Sequence, residues 1–381
     1  MRRLSGSVEP SLLQGDSSMI FSTIGFHVTD RCQLNCEHCL RDPEQKGVDL
    51  SLEHARAVLE EAKEAFGSHH ISLTGGEPTI YRDFYRLIDV AVELGYTWHM
   101  QTNAERFPRV VERLSEDPRR IEAFEQVNFS LDGATEQTHD LIRGRGSFQA
   151  VMAGIEVAQR HGISQSLQMA VNGRNLHECE ALCWLAAARG VPEVSLEVTQ
   201  PTGTYLDPLL YAPVDAFKEL RARLFDLAST LNVQIRVFDG FPQPSPLHLC
   251  QSFSGDTLYV KPDGAYNICC RHAGTPGDGD RSTVGRVGET PLADVHARIV
   301  AFGAEVQRAH LDASLAELDD PWDASPCNFC LGHCGLPHWR SDGVSAGARA
   351  RRERWRGAWA PPEEKVEEAA RAREALDAEG A

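Results

Sequence analysis

The sequence predicts an α/β protein built on a parallel sheet, followed by a smaller cysteine-rich unit. Three observations carry that prediction. From Ile20 to about residue 200, strand-like and helix-like stretches alternate through six beats. Such alternation argues parallel strands joined by helical crossovers, either barrel-like or doubly wound. After Pro201 the rhythm breaks, and Pro242, Pro244 and Pro246 read as a linker. The eleven cysteines gather on either side of that linker, apart from Cys179 and Cys183.

The elements follow in order from local pattern. Ile20–Val28 is a strand that runs into a cysteine-bearing loop. Leu52–Phe66 is a helix: Leu52, Ala55, Val58, Leu59, Ala62 and Phe66 recur at helical spacing, with Ser51 as N-cap. His70–Leu73 is a short strand ending in Gly75-Gly76. A helix over Phe84–Leu94 closes at Gly95, a strand covers Tyr96–Gln101, and Arg109–Leu114 lies on a helix. Gln126–Leu131 is a strand, and Ser147 caps a helix to Arg160. Gln165–Val171, Leu176–Ala188 and Glu193–Val198 continue as strand, helix, strand. Val214–Leu231 is a helix and Val233–Phe238 a last strand. Beyond the linker, Thr257–Val260 and Ala265–Cys269 form a hairpin on Asp263-Gly264, which supplies the positive φ of a tight turn. Glycine-rich loops occupy 274–288. The expected organisation is a polar lead-in at 1–19, a core at 20–240, a cysteine-rich unit at 241–345 and a charged helical tail at 346–381.

Composition bounds the function. A chain of 381 residues with 42% hydrophobic residues buries a sizeable core. The formal net charge of −17 argues against nucleic acid and anionic membranes as partners, though not against a local basic pocket. No stretch approaches a membrane-spanning run of about 18 apolar residues. Arg2-Arg3 has no apolar stretch behind it, so no export signal is read and a cytoplasmic location is expected. Cysteines in such a setting point to metal or redox chemistry rather than disulfides.

Cys32, Cys36 and Cys39 are the sharpest local signal. Three thiolates on one loop after a strand can converge on a soft metal centre. A structural zinc site wants four ligands, and His38 or His27 offers a competing Cys₃His reading. Gly75-Gly76-Glu77-Pro78 then sits at the C-terminal end of a strand, the face where parallel α/β folds bind ligands. Its glycines permit close backbone approach, and its carbonyls and amides can pair with a charged amine or carboxylate.

Together these residues resemble the radical S-adenosylmethionine (SAM) superfamily, over roughly residues 20–240. The resemblance implies a partial (β/α)₆ TIM-like barrel in which Cys32, Cys36 and Cys39 hold a [4Fe–4S] cluster. The open iron binds the amino and carboxylate groups of SAM, and Gly75, Gly76, Glu77 and Pro78 form the turn that contacts the SAM amine. His38 falls where the family packs a residue on the adenine. Gln101-Thr102-Asn103 and Ser130-Leu131-Asp132-Gly133 match strand-end positions lining the SAM pocket, and Arg143 matches an arginine that pairs with the SAM carboxylate. Ordinary capping or turn chemistry is the competing account of each polar strand-end residue.

The second group comprises Cys250, Cys269, Cys270, Cys327, Cys330 and Cys334. The hairpin returns Cys269 beside Cys250, and a meeting with the Cys327/Cys330 pair makes a Cys₄ site, zinc or iron–sulfur. Cys250, thirteen residues, Gly264, four residues and Cys269 fit the first half of the SPASM and Twitch extensions of radical SAM enzymes. The second half departs from the full pattern: CxxC-x(3)-C closes the series, and no cysteine follows Cys334. The resemblance therefore implies one auxiliary [4Fe–4S] cluster on Cys250, Cys269, Cys327 and Cys330. Cys334 either replaces Cys330 or stands as a thiol hydrogen donor. Cys179 and Cys183, four apart on a helix, read as a buried face. His69-His70 reads as flanking a strand, and Cys270 is assigned no role.

The resemblance implies reductive SAM cleavage, with electrons from a flavodoxin- or ferredoxin-type reductant, hydrogen abstraction from substrate, and electron transfer to the auxiliary cluster. Two substrate classes follow: a small carbohydrate-like molecule that is oxidised or epimerised in natural-product biosynthesis, or a ribosomal peptide that is modified or cross-linked. About 20 residues precede the core, without a peptide-binding module, which shifts the expectation toward small substrates. The competing class is a non-catalytic iron–sulfur carrier or a zinc-binding protein.

Overall fold

In the computed structural model, residues 21–40, 47–201, 208–238, 240–245, 248, 250–273 and 282–344 are described. The expected lead-in, the charged tail and positions 274–281 of the glycine-rich loops lie outside them. The core reads β1 (Thr23–His27), α1 (Leu52–Phe66), β2 (His70–Thr74), α2 (Phe84–Glu93), β3 (Thr97–Thr102), α3 (Phe107–Leu114), α4 (Pro118–Glu122) and β4 (Phe124–Ser130). It continues with α5 (Glu136–Arg143), α6 (Ser147–Arg160), β5 (Ser164–Val171), α7 (Cys179–Arg189), β6 (Glu193–Val198), α8 (Val214–Ala228) and β7 (Gln234–Val237).

The seven strands lie side by side in chain order, every neighbouring pair parallel. That order decides between the two architectures left open by the sequence. Right-handed crossovers that always advance in one direction put all helices on one face, and the sheet curls toward a barrel. A doubly wound sheet needs a reversal of strand order, and β1 to β7 show none. The fold is the α/β partial-barrel class.

Strand alternation gives the sheet two unlike faces. Along β3, Trp98, Met100 and Thr102 are buried, while Thr97, His99 and Gln101 take the other face. Ile71, Leu73, Val127 and Phe129 continue the apolar side, and Trp98 stacks on Phe124 at 3.8 Å between ring centroids. Ser72, Thr74, His99, Gln101, Gln126, Asn128, Gln168 and Ser195 line a cavity on the opposite face. Barrel interiors are ordinarily filled by branched apolar side chains. This one is polar.

The cysteine-rich unit comprises β8 (Thr257–Val260), β9 (Ala265–Asn267), α9 (Cys270–Ala273), β10 (Thr283–Arg286), α10 (Leu292–Leu315), α11 (Pro326–His333), β11 (Trp339–Arg340) and β12 (Gly343–Val344). It is built onto the core sheet. β8 pairs in parallel with β1, and β9 and β10 follow antiparallel, extending the sheet to ten strands. A partial barrel leaves the β1 edge open, and β8 satisfies its backbone groups. Two capping expectations differ in detail. Gly146, at φ +86°, holds the cap position of α6, so Ser147 is its first helical residue. Ser51 caps α1 without a side-chain hydrogen bond.

The apolar face sets a stability test. Trp98→Ala removes a fully buried, stacked ring and is expected to cost about 3–5 kcal/mol, read as a lower midpoint in anaerobic denaturant unfolding.

Candidate functional site

β1 ends in the loop that carries the three core cysteines, and the turn after β2 braces it. The Gly76 amide donates to the Thr29 carbonyl at 2.6 Å, and the Glu77 amide to the Arg31 carbonyl at 2.8 Å. Gly75 adopts φ +133°, and a Cβ on Gly76 would stand 2.0 Å from the Arg31 carbonyl oxygen. Only glycine allows this approach. The amides of the turn are thus spent on the cysteine loop, and an amine ligand would have to be taken by its carbonyl oxygens. Arg31 is held in turn by Asp49, at 2.6 Å between Nη2 and Oδ2. Further along, the Glu37 amide donates to the Ile142 carbonyl at 3.1 Å, and the Glu37 carboxylate pairs with Arg174 at 2.8 Å.

Glu77 is buried and faces inward. Its carboxylate accepts hydrogen bonds from the Thr79 hydroxyl at 2.7 Å, the Thr102 hydroxyl at 2.8 Å and the Asn103 amide at 2.9 Å. Burial pushes its carboxyl pKa up while these bonds oppose the rise. They lock the end of β3, where Asn103 Nδ2 lies 3.8 Å from Cys32 Sγ. Gln101 donates to the Ser130 hydroxyl at 2.6 Å.

Arg143, in the last turn of α5, is pinned by Asp132 at 2.5 Å and turns Nη1 toward Cys36 Sγ at 3.9 Å. Burial would raise the Asp132 carboxyl, but Arg143 and His38 outweigh it and hold it below the usual range. Burial pushes the Cys36 thiol up to about 12, against Arg143. A bound metal centre reverses that logic by favouring the thiolate.

Cys32, Cys36 and Cys39 line one cavity of about 240 Å³ with His38, Gly75, Gly76, Glu77, Asn103, Ser130 and Arg143. Two expected cofactor contacts stand behind the wall instead. Pro78 is buried at the start of a short 3₁₀ turn, and Asp132 supports Arg143 from below. Neither candidate histidine completes a zinc shell. His38 Nε2 lies 3.4 Å from Asp132, and His27 lines the neighbouring cavity. Among the described residues only His272, Cys330 and Cys334 bring three ligand atoms within 4.8 Å of one another. The wider spread of the core thiols suits separate irons of a cluster better than a single ion.

The next cavity, of about 460 Å³, is the polar face of the sheet. It shares Cys39, Gly75, Gly76, Gln101 and Gln168 with the first. Burial, with Lys261 adding, lowers the pKa of His27 there to about 4, so its imidazole is neutral. His69 precedes β2 and His70 is its first residue, with His70 Nε2 2.5 Å from His99 Nδ1.

A third cavity, of about 410 Å³, is lined by Cys250, Cys269, Cys327 and Cys330, the four expected auxiliary ligands. Cys327 and Cys330 sit one turn apart on α11, which Ser325 caps through the Asn328 amide. Four thiols on one cavity fit an iron–sulfur cluster or zinc by donor chemistry. Cys334 caps the end of α11 beside Cys330 and is absent from the lining of all three cavities. The hydrogen-donor expectation for it is therefore unsupported. Cys270, assigned no role, lines both the second and third cavities. His272, 3.6 Å from Cys330 Sγ, was also missed; its only sequence signal is its place three residues after Cys269. Cys179 and Cys183 are fully buried on α7, as a core face requires.

The sequence profile of the Radical SAM superfamily matches residues 26–185. Mycofactocin maturase MftC of Mycobacterium tuberculosis is 26% identical over 322 residues, covering 81% of this chain and 75% of that protein. The AdoMet-dependent heme synthase of Methanosarcina barkeri is 25% identical over 336 residues, covering 86% and 91%. Among solved structures, anSMEcpe with bound AdoMet superposes with a TM-score of 0.58 at 16% identity, over 75% of this chain and 85% of that one. Streptococcus suis SuiB bound to the precursor peptide SuiA gives 0.57 at 15% identity, over 73% of this chain and 65% of that one. These structural likenesses bear on the fold.

The brace between turn and loop generates a test. Gly76→Ala should displace the cysteine loop and weaken its hold on a cluster, so iron after anaerobic reconstitution should fall by about four per chain.

Proposed function

The chain belongs to the radical SAM superfamily, as an enzyme with a C-terminal extension, and from that premise we propose that it modifies a peptide substrate held in the polar cavity. The observation that carries this reading is the series of three cavities with shared walls. The cavity of the core cysteines opens on the polar one, which shares Glu197, Phe238, Tyr259, Cys270 and Arg271 with the cavity of the auxiliary cysteines. When bound, SAM and its [4Fe–4S] cluster supply a 5′-deoxyadenosyl radical that takes a hydrogen atom from substrate, and the auxiliary [4Fe–4S] cluster supplies a one-electron acceptor.

The chain's own residues do the rest. Cys32, Cys36 and Cys39 would hold the core cluster, and Cys250, Cys269, Cys327 and Cys330 the auxiliary one. Asn103, Ser130 and Arg143 orient SAM beside Gly75 and Gly76. Gln126, Asn128, Gln168 and Ser195 offer hydrogen bonds that position a substrate carbon. His27, kept neutral by burial and by Lys261, lines the same cavity as a hydrogen-bonding group for substrate. A flavodoxin- or ferredoxin-type protein fits as the source of electrons. No described helix is long and apolar enough to cross a membrane.

Two observations support a peptide over the other substrates. SuiB, of like fold, is bound to a precursor peptide, and the mycofactocin relative is itself a maturase, although the heme synthase relative aligns over more of both chains. The lining of amides, hydroxyls and the Arg236–Glu193 pair suits a hydrogen-bonding backbone rather than the flat apolar macrocycle of the heme synthase relative's product. A hydroxylated small molecule would meet the same lining, and competition between a peptide and a sugar for product formation separates them.

The test is anaerobic reconstitution followed by a SAM-cleavage assay. Wild-type protein should yield 5′-deoxyadenosine after reduction, and Cys36→Ala should fall to background. A Cys250→Ala/Cys269→Ala protein that keeps its core iron should still cleave SAM while product formation collapses. Normal product from such a protein would make the auxiliary site structural.

A further inference from the structure

Arg271 stands in the wall between the polar cavity and the auxiliary-cysteine cavity, and lines both. It follows Cys270 and lies two residues after Cys269 on the short α9. Its side chain is 13% exposed, and Cys327, Cys270 and Cys269 all lie within its electrostatic reach. Nη1 donates to the Val198 carbonyl at 3.0 Å, which ties α9 to the end of β6. Nη2 lies 3.5 Å from Glu197 Oε2. That separation is longer than the roughly 2.7–2.9 Å of a tight charge-assisted hydrogen bond. Glu197, on β6, reaches all three cavities.

We propose that the Arg271–Glu197 pair sets the reduction potential of the auxiliary cluster, Arg271 raising it and Glu197 limiting the rise. The proposal rests on the reading that the extension holds an iron–sulfur cluster. Its physics is one of charge. Reduction adds an electron to a centre already surrounded by thiolates, so a nearby cation favours the reduced state and a nearby anion disfavours it. Arginine is a permanent cation in proteins. In a buried wall its field is weakly screened. A cluster made easier to reduce is a better acceptor for the electron leaving the substrate radical, and Arg271 stands where the two cavities meet.

A purely mechanical role for Arg271, tying β6 to α9 through Val198, would leave the potential unmoved. The full-length, reconstituted enzyme is therefore titrated with mediators while the auxiliary cluster is followed by electron paramagnetic resonance. Arg271→Gln should shift the midpoint to lower potential, and Arg271→Lys should return most of the shift. Glu197→Gln should move it the other way, to higher potential. Opposite shifts from the two neutral variants support the proposal. An unchanged midpoint in Arg271→Gln with both clusters present overturns it, as does a fall in Glu197→Gln. If Arg271→Gln loses its cluster, Glu197→Gln decides by the sign of its shift alone. Wild-type iron near four per chain, with zinc in the extension, refutes the auxiliary-cluster reading itself and is distinguishable from either result.

Discussion

Two backbone hydrogen bonds, from the Gly76 and Glu77 amides to the Thr29 and Arg31 carbonyls, join the end of β2 to the start of the cysteine loop. Everything downstream depends on that junction. It places Cys32 beside Asn103, whose amide the buried Glu77 carboxylate holds. Glu77 therefore acts on the cofactor site from beneath, by fixing both the loop and the end of β3. The strict need for glycine at Gly76 follows from the same closeness, since any Cβ there would collide with Arg31 backbone. On the far side, the Asp132–Arg143 pair does the corresponding work for Cys36.

The second constraint is the unlike character of the two sheet faces. The helix-facing side chains belong to a continuous apolar core that runs from Phe21 to Trp339. The other face is given over to hydroxyl, amide, imidazole and paired charged groups. A sheet with this division holds its helices firmly and keeps its interior open to a polar substrate. The extension, added at the β1 edge, sets its own cysteines at the far wall of that interior. Tyr259 on β8 crosses over Gly25 of β1, where a Cβ would stand 2.9 Å from its ring, and contributes to two of the three cavities. The three cavities thus form a continuous series with shared walls.

Much of this was legible in the sequence, because regular elements and soft-metal ligands both leave periodic traces. α1 and β6 begin and end where their apolar spacing says. The core cysteines and Gly75-Gly76 announce a site through chemistry few other folds need. What escaped reading depends on tertiary contact. The 24-residue α10 carries Leu292, Val295, Ile299 and Phe302 at helical spacing, yet it lies among loops and cysteines that drew the eye. Pro78 and Asp132 look like ligand contacts in sequence, and only the fold places them behind the cavity wall. Arg271, Glu197 and His272 belong to no motif, since a charge or imidazole gains its role here from what the fold brings alongside it. The continuity of the ten-stranded sheet across the proline linker was invisible for the same reason: strand pairing between β1 and β8 spans over two hundred residues.

The central claim is that the chain holds two unlike clusters, one with an iron open to SAM and one closed by protein. Mössbauer spectroscopy of protein reconstituted with iron-57, recorded with and without SAM, tests it most directly. The account predicts two cubane-type contributions of equal weight, with SAM shifting one iron site of one cluster and leaving the other cluster unaltered. A single cluster, or two clusters both indifferent to SAM, would contradict it.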